Sequence, residues 1–173
     1  MPYMTYTEKL QLAVTLSSSF LQLCGTPWLS EHMSSDNIVF QRRKNTYFYE
    51  DMFIWKATRH EPLSVGAPAS LLEERRNPAL LSLGFLLVEL FFGRPLAADC
   101  SIAEQRLERK FREAQLLLPR IRLESGNYFS AVSRCLDGEL HTRKLDEMQL
   151  TEHAYAGIVA LLKKDLEALS IVG

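Results

Sequence analysis

The segment Asn77–Leu96 (NPALLSLGFLLVELFFGRPL) limits the possible folds most, because its pattern predicts a helix that is apolar on every side. Asn77 can cap this helix, Pro78 suits its first position and Gly93 can end it. Its apolar run is about 14 residues, short of the roughly 20 that cross a bilayer. A helix that is apolar all round must be buried all round, so we expect it at the centre of a globular domain without a membrane span.

Length, charge and cysteine content describe an ordinary folded domain. A chain of 173 residues fits a single domain, which we expect to cover residues 1–173. The formal net charge of -1 argues against nucleic acid or an anionic membrane as a partner. Three scattered cysteines and the lack of a leader pattern at the N-terminus favour a cytoplasmic setting. Histidines and cysteines do not pair at ligand spacing, so we predict no metal site.

Hydrophobic periodicity predicts further helices, and one aromatic-rich stretch predicts strands. Short strands are expected between about Ile38 and Trp55. The fold class is therefore mainly α, with a minor β-hairpin. The predicted helices are Thr5–Cys24, with a Thr5/Glu8 capping box; a short Leu71–Arg75; an amphipathic helix from Ser101, in a second capping box, to about Leu117; Asn127–Leu136; and Thr151–Leu169, with Tyr155 on its apolar face.

This order of elements, with its motifs, resembles the C-terminal lobe (C-lobe) of a protein kinase. Leu83–Leu90 (LGFLLVEL) resembles the central helix of that lobe, Ser35–Phe40 (SDNIVF) the end of the catalytic loop, and Ala67–Ala69 (APA) the APE motif. With Thr26–Leu29 (TPWL), the chain is similar in particular to a fungal kinase-like domain of unknown function. The resemblance implies a helical C-lobe in a fungal signalling protein.

Departures from the kinase pattern imply that the domain is not an enzyme. His32 stands where the catalytic aspartate belongs, and Ala79 replaces the central-helix aspartate that anchors the catalytic loop. The 173 residues contain no Gly-rich loop and no strand lysine for ATP, so the ATP-binding N-terminal lobe (N-lobe) is missing from the pattern. Asn37 and Asp51 are weak candidates for holding a metal–nucleotide; we favour a loop-bracing role for Asn37 and a hairpin-end role for Asp51. We predict no catalytic residues and no cofactor.

Two further side chains need partners on this interpretation. Ala69 replaces the APE glutamate, so Arg134 is a candidate for its orphaned arginine partner. Glu89 lies within the apolar helix, where an unpaired carboxylate would be costly. An ion pair or hydrogen bond from backbone or arginine explains Glu89 better than acid–base catalysis.

Two functional hypotheses follow from the resemblance. The first is a non-catalytic, pseudokinase-like domain that binds a protein, another domain of its parent chain or a second copy of itself. Its interaction surface would use the aromatic residues left uncovered by an N-lobe: Trp28, Tyr47, Tyr49, Phe53 and Trp55. The alternative is a divergent nucleotide-dependent phosphotransferase lobe that uses His32, Asn37 and Asp51 with an N-lobe supplied elsewhere. The helix beginning at Ser101 is the next choice for a partner surface.

Overall fold

A computed structural model describes residues 4–29, 33–43, 46–54, 76–96, 103–137, 139–142 and 147–172, and it is mainly helical. A 3-10 turn at Ser35–Asn37 precedes the strands, and a π-helical turn at Tyr155–Val159 joins the last two helices. The remaining elements are α1 (Tyr6–Leu23), β1 (Ile38–Arg43), β2 (Thr46–Ile54), α2 (Pro78–Phe92), α3 (Ala103–Glu124), α4 (Gly126–Leu136), α5 (Glu139–Thr142), α6 (Glu147–Ala154) and α7 (Ala160–Val172).

Helix α2 forms the buried centre of the domain, as predicted. Every residue from Ala79 to Glu89 is buried, and α1, α3 and α4 all contact the helix. The Asn77 side chain accepts the capping hydrogen bond from the Leu80 N–H at 3.1 Å. Gly93 ends the helix in the left-handed region, at a φ of 67°, which a residue with a Cβ adopts only at a cost.

Helices α2 and α4 approach each other closely at Gly84. A Cβ on Gly84 would lie 2.7 Å from Cδ2 of Leu136 and 2.9 Å from Cβ of Cys135, so only glycine fits. One turn further along α2, the buried Tyr128 hydroxyl donates a hydrogen bond to the Leu87 carbonyl at 2.8 Å. The contact at Gly84 and the hydrogen bond from Tyr128 together fix the position of α4 on α2.

The two ends of α2 are held by long-range hydrogen bonds. At its beginning, His141 Nδ1 accepts from the Asn77 N–H at 3.0 Å while Nε2 lies 2.8 Å from the Cys135 carbonyl oxygen. Beside it, Arg76 Nε donates to the Leu136 carbonyl at 3.1 Å. At its end, Lys9 of α1 donates to the Phe91 carbonyl at 2.7 Å, where a helix leaves carbonyl groups without partners.

Helix α1 confirms one sequence prediction, and α3 corrects another. The Thr5/Glu8 capping box is present, with the Thr5 N–H donating to the Glu8 carboxylate at 2.7 Å. Helix α3 does not end near Leu117 but continues to Glu124, through Pro119. Proline costs the helix one hydrogen bond, but Leu117, Leu118 and Ile121 bury their side chains and favour continuing it. Leu71–Arg75 and the Ser101 cap lie outside the described residues.

The C-terminal helix also differs from its prediction. It begins at Glu147 rather than Thr151, and a π-helical turn interrupts its register from Tyr155. The extra residue of a π turn rotates the side chains that precede it relative to those that follow. Ile158, Val159 and Leu162 are buried, whereas Tyr155, expected on the apolar face, is 45% exposed.

Enlarging Gly84 should destabilise the fold through overpacking. We expect Gly84→Ala to lower the free energy of unfolding by about 1–3 kcal/mol and Gly84→Leu to lower it further. Chemical denaturation at constant pH measures both values. Gly126→Ala is the matched control, because a Cβ there meets nothing within 4 Å. An unchanged stability of Gly84→Leu would contradict the packing of α4 on α2.

Acidification should weaken the His141 link between α2 and α4. Burial and the nearby Arg76 lower the pKa of His141, while its bond to the Cys135 carbonyl and Asp137 oppose this shift. Because the folded-state pKa lies below the unfolded value of 6.5, the stabilisation is present above that pH and is lost as the pH falls below it. Protonated Nδ1 could no longer accept from Asn77. We expect unfolding free energies at about pH 7.5 and pH 5 to differ more for the wild type than for His141→Gln; equal differences would contradict this role.

Candidate interaction surface

The predicted strands form one antiparallel hairpin with an irregularity on its second strand. Phe40 pairs with Met52, but the next residue, Gln41, pairs with Phe48. Tyr49, Glu50 and Asp51 therefore have no opposite residue in the register. Such a bulge bends a strand and increases its twist. The hairpin also contacts α1 through β2, which attaches it to the helical body.

One face of the hairpin exposes large apolar side chains. Val39 and Phe53 are direct cross-strand partners and are 47% and 57% exposed. The preceding residue, Ile38, points the other way and packs against the core. Alternation along a strand explains this division, because successive side chains leave opposite faces of the sheet. Burying Ile38 therefore requires Val39 to face outward.

Trp28 is a second exposed aromatic residue, and it lies in the turn after α1. The Thr26 N–H and hydroxyl both donate to the Leu23 carbonyl, and the Thr26 hydroxyl accepts from the Trp28 N–H at 3.4 Å. These bonds hold the backbone of the turn while the indole remains 73% exposed. The local sequence thus fixes where the indole is presented.

For three residues predicted for this surface, the structure does not describe the side chain. Tyr47 and Tyr49 lie on β2, Tyr47 opposite Arg42 and Tyr49 in the bulge, but their side chains lie outside the described part of the structure. Trp55 lies outside the described residues altogether. Among the five aromatic residues predicted, exposure is therefore established for Trp28 and Phe53.

The loop before the hairpin is braced from within and anchored on α2. Asn37 Oδ1 accepts hydrogen bonds from the Ser34 N–H at 2.9 Å and from its hydroxyl at 3.2 Å. Asn37 thus has the bracing role that the sequence favoured. One residue earlier in the loop, the Met33 N–H donates to the buried Ser82 hydroxyl at 3.3 Å. The sequence signal for this contact is weak: Ser82 is a hydroxyl within a helix whose other residues, apart from Glu89, are apolar.

Glu89 has a structural role at the end of α2. Its Oε1 accepts from the Leu96 N–H at 3.1 Å and lies 3.4 Å from Lys110 Nζ on α3. The expected backbone partner is present, and the cation is lysine rather than arginine. With the side chain only 6% exposed, Oε1 joins the segment after α2 to α3, whereas Oε2 is buried without a hydrogen-bond partner in the described part of the chain.

Arg134 bonds to the π-helical turn. Its guanidinium donates to the Gly157 carbonyl at 2.9 Å, and a Cβ on Gly157 would lie 3.0 Å from Arg134 Cδ. The glycine therefore leaves room for the arginine. The segment Ala67–Ala69, in which a glutamate was predicted to have been replaced, lies outside the described residues, as does His32.

The described residues offer neither a metal-ion cluster nor a membrane-spanning helix. Among the described residues, histidine, cysteine and acidic side chains form no group of three that could hold a metal ion. Asp51 lies in the hairpin bulge, with its side chain outside the described part. Over the same part of the chain, each helix is too short or too polar to span a bilayer.

A family model described as a domain of unknown function, DUF7580, matches residues 2–169. The chain belongs to the DUF7580 family. The match covers both the helical core and the hairpin, so the surface built by Val39 and Phe53 is part of the DUF7580 domain itself. No curated protein and no solved structure matches the chain.

Proposed function

We propose that this DUF7580 domain is a non-catalytic, pseudokinase-like module that binds a protein partner. The observation that carries the proposal is the exposed cross-strand pair of Val39 and Phe53, accompanied by the exposed indole of Trp28. Large apolar side chains that the fold holds in water mark interaction sites when they are grouped. The partner is a separate protein, another domain of the parent chain or a second copy of the domain.

The connection between loop and central helix supports the kinase-like part of the proposal. In a kinase C-lobe, an aspartate on the central helix anchors the catalytic loop, and the resemblance puts Ala79 at that position. Here Ser82, one helical turn later, accepts the hydrogen bond from Met33 in the loop. The resemblance implies a buried helix that anchors this loop. In this chain the anchoring side chain is Ser82 instead of an aspartate at position 79.

The bonding of Asn37 supports the non-catalytic part of the proposal. A kinase uses the corresponding asparagine oxygen to bind Mg²⁺. In this DUF7580 domain that oxygen accepts two hydrogen bonds from Ser34, within the loop. Together with a histidine at the catalytic aspartate position, this gives the loop a structural role. By the same resemblance, we place the domain in a cytoplasmic fungal signalling protein.

Partner binding should depend on the two exposed aromatic residues, Trp28 and Phe53. We expect Trp28→Ser/Phe53→Ser to weaken a partner's affinity by tenfold or more, because about 1.4 kcal/mol of lost apolar burial suffices for that change. The partner is first identified by affinity purification of the full-length parent protein, with the domain present and deleted. Its affinity for wild type and variant is then measured by calorimetry.

Stability and a matched variant separate binding from folding in this experiment. The double variant should keep the thermal midpoint of the wild type, since both side chains are more than half exposed. Met148→Ser removes a side chain that is 71% exposed on α6 and should leave the affinity unchanged. Unchanged affinity of a folded Trp28→Ser/Phe53→Ser protein would place the partner elsewhere.

The alternative, a nucleotide-dependent phosphotransferase, makes the opposite prediction for Mg-ATP. We expect the 173-residue chain to show no thermal shift with Mg-ATP, because the Asn37 oxygen is engaged by Ser34. Thermal-shift measurements over a range of Mg-ATP concentrations test this. A saturable shift that disappears in Asn37→Ala/Asp51→Ala would favour the phosphotransferase; the same double variant without nucleotide controls for lost stability.

A further inference from the structure

The hydroxyl of Ser125 joins the start of α4 to helix α7. It accepts a hydrogen bond from the Tyr128 N–H at 2.9 Å, which caps α4, and it donates to Oδ2 of Asp165 on α7. The other oxygen of that carboxylate, Oδ1, accepts from the Asn127 side-chain amide at 2.7 Å. One carboxylate therefore links the two helices, and the link uses the proton that the serine hydroxyl donates.

The surroundings of this hydroxyl are negatively charged. Asp165 accepts its hydrogen bond, and Glu124 precedes it in the chain. Their charges also act on Tyr6 of α1. Burial raises the pKa of Tyr6, a hydrogen bond with Ser125 opposes the rise, and the charges of Asp165 and Glu124 add to it. A neutral group that donates a hydrogen bond suits this place, whereas an additional anion would lie against a carboxylate.

The residues before Ser125 form a pattern that arginine-directed serine kinases select. In residues 120–125 (RIRLES), arginines stand five and three residues before the serine. Such arginines form charge-assisted hydrogen bonds with carboxylates of the kinase that binds them. Arg120 and Arg122 are exposed, and within the described part of the chain each lies over an aromatic ring, 5.2 and 5.5 Å from its centre, without an ion pair. Both charges are thus accessible to a binding enzyme.

The end of α3 is the part of this helix that opens most easily. Pro119 has no N–H to donate to the helical carbonyl that precedes it by four residues. Between Pro119 and the serine, Ile121 is the one buried side chain. Gly126 follows, and a Cβ there would meet nothing within 4 Å. Local opening of a segment with few buried side chains costs far less than unfolding of the domain, so a kinase can engage it.

We propose that Ser125 is a phosphorylation site of a separate, arginine-directed serine kinase and that phosphorylation separates α7 from the start of α4. The hydroxyl oxygen attacks the γ-phosphorus of ATP, the bond from that phosphorus to the bridging oxygen breaks, and ADP leaves. The hydroxyl proton passes to the base of the kinase. The esterified oxygen then has no proton to donate to Asp165. The new group also places a charge of about −1.5 to −2 at pH 7 against that carboxylate.

The two contacts of Ser125 respond differently to this charge. Phosphate oxygens accept hydrogen bonds from N–H groups at a helix N-terminus and are favoured by the helix dipole, so α4 keeps a cap. Asp165 gains no such compensation, because two anions would face each other.

The packing of α7 determines which part of it would be displaced. Leu162 is fully buried and holds its beginning, but the described side chains from Lys163 to Ser170 are all at least partly exposed. The link through Asp165 is therefore a large share of what attaches the C-terminal half of α7.

Phosphorylation is tested on the full 173-residue chain. It is incubated with ATP and a purified serine kinase that selects arginine five and three residues before its serine, and mass spectrometry locates the phosphate. We expect phosphate on Ser125, at a rate that falls about tenfold or more in Arg120→Gln/Arg122→Gln. Arg112→Gln, an exposed arginine on the same helix, should leave the rate unchanged.

A synthetic peptide of residues 117–129 separates recognition of the sequence from access to it. Phosphorylation of the peptide but not of the chain would overturn the proposal, because the folded protein would then protect the serine. Phosphorylation of neither, or a rate in the chain that the paired arginine substitutions leave unchanged, would overturn it as well.

The effect on α7 is measured by hydrogen–deuterium exchange of the amides of residues 166–170. Phosphorylated chain should exchange there several-fold faster than unmodified chain. Ser125→Asp keeps a capping residue and adds a negative charge, so it should show the same increase. Ser125→Asn is the matched control, because it caps without a charge and should exchange like the wild type.

A second substitution tests whether charge repulsion is the cause. Adding Asp165→Asn to Ser125→Asp should restore slow exchange, since a neutral amide can donate to the new carboxylate. Equally fast exchange in Ser125→Asn, or no restoration by Asp165→Asn in a chain whose circular dichroism shows it folded, would overturn the switch. So would unchanged exchange in both the phosphorylated chain and Ser125→Asp.

Discussion

The rest of the structure depends on the close packing of α4 against α2 at Gly84. A hydrogen atom in place of a side chain lets Leu136 and Cys135 approach the α2 backbone, and this approach brings the Tyr128 hydroxyl within reach of the Leu87 carbonyl. The same approach positions the C-terminal end of α4 for Arg76 and His141, which hold the beginning of α2. Burial also raises the pKa of the Cys135 thiol, which suits a packing role in this seam.

Polar groups inside this core are used to join segments. Ser82 forms a hydrogen bond with the loop before the hairpin, and Glu89 forms one with the segment after α2 and lies beside Lys110. Lys9 donates a hydrogen bond to the last turn of α2. Each of these bonds satisfies a backbone group that burial would otherwise leave without a partner. A buried backbone group without a partner would cost about 1–3 kcal/mol of stability. These hydrogen bonds give the buried groups structural roles, while the second carboxylate oxygen of Glu89, Oε2, is buried without a hydrogen-bond partner in the described part of the chain.

The exposed apolar side chains of the hairpin and of α3 arise from the periodicity of these elements. On β1, burying Ile38 turns Val39 outward, beside Phe53. On α3, burying Leu117 and Ile121 turns Leu116 and Leu123 outward. In both elements, the burial of one side chain decides which of its neighbours is left exposed.

The sequence by itself determined those elements whose signals are local. The bounds of α2 follow from its cap, its proline and its final glycine, the start of α1 follows from the Thr5/Glu8 capping box, and the aromatic-rich stretch became the hairpin. Tertiary structure decided what depends on distant residues. Helix α3 continues past Pro119 because its leucines find a core to enter, the π turn at Gly157 accommodates Arg134, and Ser82 and Lys110 gain partners 49 and 21 residues away. Burial and hydrogen bonding over such separations depend on how the helices pack, which no local pattern encodes.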